Sequence, residues 1–118
     1  MRTSNLLFCF FCIFFSSCST DEVPIYIGTY TGGDSEGIYK MDFNQKTGVL
    51  SNKKLVAKSE NPSFLAFSPN RAYLYTVQET NSFQGVESGA VASYKVLDTG
   101  ELEFLSEESS EGAHPCHI

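Results

Sequence analysis

Two stretches of this chain spell one pattern, and the interval between them restricts the fold more than anything else in the sequence. Gly37-Ile38-Tyr39-Lys40-Met41-Asp42-Phe43 leads into Thr47-Gly48-Val49-Leu50, and Val91-Ala92-Ser93-Tyr94-Lys95-Val96 leads into Thr99-Gly100-Glu101-Leu102. The Thr-Gly pairs lie 52 residues apart. Asn61-Pro62-Ser63-Phe64-Leu65 corresponds to His114-Pro115-Cys116-His117-Ile118, with the prolines 53 apart. Val23–Tyr30 corresponds to Ala72–Glu79. A repeat of this length is one supersecondary unit that buries its faces against its neighbours.

The text inside each repeat reads as strands. Asn61–Glu79 is a hairpin: the apolar run Phe64-Leu65-Ala66-Phe67, then Ser68-Pro69-Asn70-Arg71, then the aromatic and β-branched run Tyr73–Val77. Proline presets φ at the second position of a type I turn, and Ser and Asn suit its other positions. The first repeat predicts strands over Pro24–Tyr30, Gly37–Phe43, Leu50–Ala57 and Ser63–Phe67. The second predicts Tyr73–Glu79, Gly89–Val96, Glu101–Glu107 and a run beginning at Cys116. Each Thr-Gly sits where a hairpin needs positive φ, which glycine tolerates best. Thr31–Gly37 is a longer Gly-rich turn between strands; no GK[ST] follows it, so it is not a phosphate loop.

Four short antiparallel strands per unit at this period predict an all-β chain of β-propeller blades. The competing arrangement is one β-sandwich with chance similarity between its halves. Propellers close a ring of 4–8 blades, whereas about two units follow the amino-terminal segment. The expectation is therefore an amino-terminal piece of a longer protein, with a blade face and a strand edge bare.

Met1–Ser17 is expected to be a signal peptide rather than part of the fold. Arg2 precedes Leu6–Phe15, an unbroken apolar run of ten residues, about half of the ~20 that a membrane-spanning helix needs. Phe15-Ser16-Ser17-Cys18 resembles the lipobox of bacterial lipoproteins, with Phe15 where Leu is usual. That resemblance implies cleavage before Cys18, lipidation of its thiol, a tether over residues 18–23 and a partial propeller domain over 24–118. It places the protein in the bacterial cell envelope, held to the membrane by its lipid anchor alone. An ordinary secretory signal cut nearby is the alternative. Cys9 and Cys12 have C-x-x-C spacing but would leave with the signal, so only Cys116 remains free.

Composition removes several functions. The 118 residues hold 42% hydrophobic and 19% charged residues, as a globular body does. The formal net charge is −6, and without a basic patch nucleic acid is a poor partner. The densest acidic run, Glu101–Glu111, reads as a solvated loop. No G-x-S-x-G, metal-ligand cluster or nucleotide fingerprint occurs, so no cofactor is expected.

The repeat text VPIYIGTYT, GIYKMDFNQKTGVLS, NPSFLAFSPNRAYLYTVQE, GAVASYKV, TGELEFLS and GAHPCHI resembles the first blades of the seven-bladed β-propeller lactonases, which include the propeller form of 6-phosphogluconolactonase. Arg71 departs from the family's usual glycine and is expected to alter its turn locally. The resemblance implies hydrolysis of a small sugar-acid lactone. Such chemistry needs an activated water, oxyanion stabilisation and a proton for the leaving alkoxide. Glu79, ending a strand, is the candidate general base; it is equally a strand-capping acid. His117 is the candidate proton shuttle, or a buried histidine, since it corresponds to Phe64. Thr29 and Tyr30 are candidate substrate contacts at the funnel mouth, with Tyr30 packing between blades as the stronger alternative. His114 reads as a loop residue. A non-catalytic anchored propeller binding carbohydrate or protein, and a carboxymuconate-type cycloisomerase, are the alternative functions.

Overall fold

The computed structural model describes residues 21–118. The expected signal peptide, Cys9, Cys12 and the lipidation residue Cys18 lie outside the described residues. Seven strands follow in order: β1 Glu22–Ile27, β2 Gly37–Asn44, β3 Leu50–Lys58, β4 Leu65–Phe67, β5 Tyr73–Gln78, β6 Ala90–Val96 and β7 Leu102–Ser109. They form two antiparallel sheets, β1-β2-β3 and β4-β5-β6-β7. β1 begins inside the expected tether, because Glu22 and Val23 already pair with Asn44 and Phe43. Pro24 is accommodated because β1 is an edge strand.

The turns follow their residues. Gly48 and Gly100 have φ of 74° and 77°, and each closes a hairpin by donating to Asn44 and Leu97 carbonyls at 2.8 Å. In the β4–β5 turn, Arg71 N–H donates to the Ser68 carbonyl at 2.8 Å, the bond of a type I turn. Arg71 itself has φ +57°. Arg71 thus adopts the left-handed backbone that favours glycine. The Arg71 guanidinium lies 4.7 Å from the Phe67 ring centroid, a cation–π contact that offsets part of the strain.

The second sheet begins one strand earlier than the second repeat. The fourth segment of the first repeat, β4, is the first strand of the second sheet. Its turn to β5 is too tight for the two strands to separate, so hairpin geometry decides the grouping. Cys116–Ile118 corresponds to Ser63–Leu65, of which only Leu65 belongs to β4, and is not in a strand. The strand expected over Glu101–Glu107 is β7, the outermost strand, so the acidic run Glu101–Glu111 is mostly strand rather than loop. Its backbone is paired with β6, and its Glu side chains face water.

The two sheets pack face to face. Ile38 and Val56 of the first meet Leu74, Ala92 and Tyr94 of the second. Burial of each large apolar side chain contributes roughly 1.5–3 kcal/mol. Polar clasps fix the rim. The Tyr26 hydroxyl donates to the Gly100 carbonyl at 2.8 Å, Lys40 Nζ to the Thr99 carbonyl at 3.1 Å, and Lys54 Nζ meets Glu101 Oε1 at 2.5 Å. Gly28 permits the closest approach: a Cβ there would lie 1.8 Å from the Pro62 carbonyl oxygen.

Candidate functional site

The segments that leave β1 and β5 meet the segments that precede β4 and include residues 114–117. Asn61 is the hub. Its φ is +42°, and the repeat-equivalent His114 has φ +54°; Asn is among the few side chains that tolerate this region. Asn61 Oδ1 accepts from Thr31 N–H at 2.9 Å and from the Thr31 hydroxyl at 3.1 Å. The Asn61 carbonyl accepts from Ser63 N–H at 2.8 Å and Glu79 N–H at 3.0 Å. Its Nδ2 donates to the Glu79 carbonyl at 3.3 Å. One residue thus ties the ends of two successive sheets together. His114 repeats part of this, donating its N–H to the Thr80 carbonyl at 2.8 Å.

On this frame the Tyr30 hydroxyl donates to Glu79 Oε2 at 2.8 Å. Tyr30 and Glu79 occupy the same position in successive repeats. The Ser63 hydroxyl, close to the carboxylate but not hydrogen-bonded to it in this structure, and the bonded Tyr30 hydroxyl hold the Glu79 carboxyl below the usual carboxylate range, with the charge of nearby His114 adding to them. The same carboxylate pushes the Tyr30 phenol up. Glu79 is therefore ionised at neutral pH. No Lys or Arg is among the groups contacting Tyr30 or Glu79 in the described residues.

The sequence candidates divide accordingly. Tyr30 is 63% exposed among the described residues and is bound to Glu79. His117 is exposed among the described residues, with its ring 4.5 Å from that of Phe64 and tilted by 53°. The imidazole whose charge reaches Glu79 is that of His114. Thr29 belongs elsewhere. Its hydroxyl pairs with the Ser35 hydroxyl and donates to the Gly37 carbonyl at 2.7 Å, which fastens the 31–37 loop. It lines a separate cleft on the outer face of the first sheet with Ile27, Tyr39, Met41 and Lys53. Asn61 and Ser63 were missed as site residues. The available signal was the Asn/His-Pro-Ser/Cys repeat itself, which marks a special backbone position at each start of an inner strand.

Comparison with known proteins adds the family. Residues 24–118 match the model of the lactonase family described as a seven-bladed β-propeller. A 6-phosphogluconolactonase of Bacillus subtilis is 38% identical over 94 residues, covering 79% of this chain and 26% of that protein. A Bacteroides uniformis crystal structure with a provisional 6-phosphogluconolactonase description superposes with TM-score 0.73 at 38% identity, covering 83% of this chain and 27% of that one. A periplasmic gluconolactonase of Pseudomonas aeruginosa superposes with TM-score 0.69 at 32% identity, covering 80% and 26%. The chain thus spans about a quarter of the length of the relatives it matches.

Proposed function

From the premise that this chain belongs to the seven-bladed β-propeller lactonase family, we propose that the protein hydrolyses the lactone of a sugar acid. The observation that carries this is the family match across every strand of both sheets. The Tyr30–Glu79 pair supports it chemically. Glu79 is ionised and receives a proton from the attacking water as that water adds to the lactone carbonyl. Tyr30 orients the carboxylate and presents its phenol oxygen to a substrate hydroxyl. His117, exposed beside Phe64, supplies the proton that the ring oxygen needs as it leaves.

The substrate in this reading carries no phosphate. Phosphate recognition recruits Arg or Lys, and the contacts of the Glu79 cluster include neither. An anionic carboxylate there also repels a phosphate. Export agrees with this choice, since phosphorylated sugars belong inside the cell. The lipobox-like Phe15–Cys18 and the likeness to a periplasmic gluconolactonase support a lipid-anchored protein acting in the envelope.

The test is turnover of gluconolactone and of its 6-phosphate by the full-length protein. Gluconolactone is expected to be hydrolysed with the higher kcat/KM. Turnover of neither compound overturns the lactonase reading, and preference for the 6-phosphate overturns the substrate choice.

A further inference from the structure

Ser63 is the group in this molecule whose chemistry is least accounted for. Its hydroxyl oxygen is buried and has no hydrogen-bond partner among the described residues. A buried hydroxyl is almost always partnered, so an unpartnered one calls for a reason. Its surroundings supply one. Ser63 N–H and Glu79 N–H both donate to the Asn61 carbonyl, at 2.8 and 3.0 Å, which sets the two residues side by side. Tyr30 occupies one lone pair of Glu79 Oε2 at 2.8 Å, and a carboxylate has several more to offer.

We propose that Ser63 is a positioning residue for Glu79: its hydroxyl turns onto the carboxylate and, opposite Tyr30, fixes the orientation in which Glu79 takes a proton from water. The role rests on Glu79 being the base of the lactonase reading. The same hydroxyl lowers the pKa of both Glu79 and Tyr30, which agrees with its lying close to both. Blade architecture does not require a hydroxyl here. The next repeat places Cys116 at the equivalent position, exposed and free. The repeat alone therefore does not dictate a hydroxyl at Ser63.

The experiment compares wild type, Ser63→Ala and Ser63→Thr in the full-length protein, with two readouts. The first is the titration of the Glu79 carboxyl by carbon NMR, identified by its absence in Glu79→Gln. The second is the pH profile of kcat/KM for gluconolactone. In Ser63→Ala, Glu79 is expected to titrate at higher pH. The acid limb of the profile then moves the same way, kcat falls on the order of tenfold, and KM changes little. Ser63→Thr is expected to restore both readouts. A Glu79 titration unchanged in Ser63→Ala overturns the proposal, whether or not that variant loses activity through misfolding. If the titration moves while wild type hydrolyses no lactone, the Ser63–Glu79 link is supported and it is the lactonase reading that falls.

Discussion

Glu79 and Arg71 show how single residues set this molecule's behaviour. The Glu79 carboxyl sits below the ordinary carboxylate range because the nearby Ser63 hydroxyl and the bonded Tyr30 hydroxyl favour its charged form. The sign of the consequence follows from linkage. A depressed carboxylate pKa contributes stability above the unfolded value, and that contribution disappears as pH falls through the folded value. Tyr30→Phe removes one of the two hydroxyls. It is expected to raise the Glu79 titration toward the ordinary range and to shrink the stability lost on acidification below the unfolded value, read by NMR and by urea denaturation across the acid range. Arg71 holds φ +57° at a position that glycine occupies without strain. Arg71→Ala loses the contact with Phe67 and keeps the strain, whereas Arg71→Gly loses the contact and relieves it. The Gly variant is expected to be the more stable of the two by about 1 kcal/mol, measured by urea denaturation. Equal stability would mean that this turn carries no left-handed strain.

At the scale of elements, the packing of sheet on sheet turns on a few side chains. Leu74, 1% exposed, lies in the core that both sheets share. Leu74→Ala is expected to cost about 3 kcal/mol, seen as a lowered denaturation midpoint. Gly28 is where backbone comes closest to backbone. Gly28→Ala sets a methyl against the Pro62 carbonyl and is expected to destabilise by about 2 kcal/mol or more, while also displacing Asn61 and with it Glu79. Much at this scale was legible beforehand. Thr-Gly at 47–48 and 99–100, and Pro69 after Ser68, each demand a particular backbone, so the hairpins could be read from short text. The phase of the sheets was not legible. A repeat reports its period and not where a blade begins; only the tight Ser68–Arg71 turn, which binds β4 to β5, assigns β4 to the second sheet. The strand expected over Glu101–Glu107 is β7, and the acidic density that suggested a solvated loop there comes from Glu side chains at its water-facing positions. At the site, Glu79 was readable as a polar residue ending an aromatic strand. Asn61 was not, because its partners Thr31 and Glu79 lie 30 and 18 residues away in sequence.

For the molecule as a whole, two successive sheets stacked face to face are what a ring of blades requires, and the family supplies the number seven. The repeat then gives the site its geometry: equivalent positions in neighbouring blades, Tyr30 and Glu79, come together at the end of their strands. The shared core also sets an alkaline limit. Burial pushes the Tyr94 phenol up, so ionisation in the unfolded chain, beginning near pH 10, draws on stability as pH rises toward the folded value. Stability is expected to fall above about pH 10, and Tyr94→Phe is expected to blunt that fall, followed by thermal melts across the alkaline range.

The most direct measurement is the rate of gluconolactone hydrolysis by the full-length protein with Glu79 intact and with Glu79→Gln. The account predicts that wild type opens the lactone and that the amide variant, unchanged in circular dichroism, is slower by roughly a hundredfold or more in kcat. Equal rates in the two proteins would contradict it.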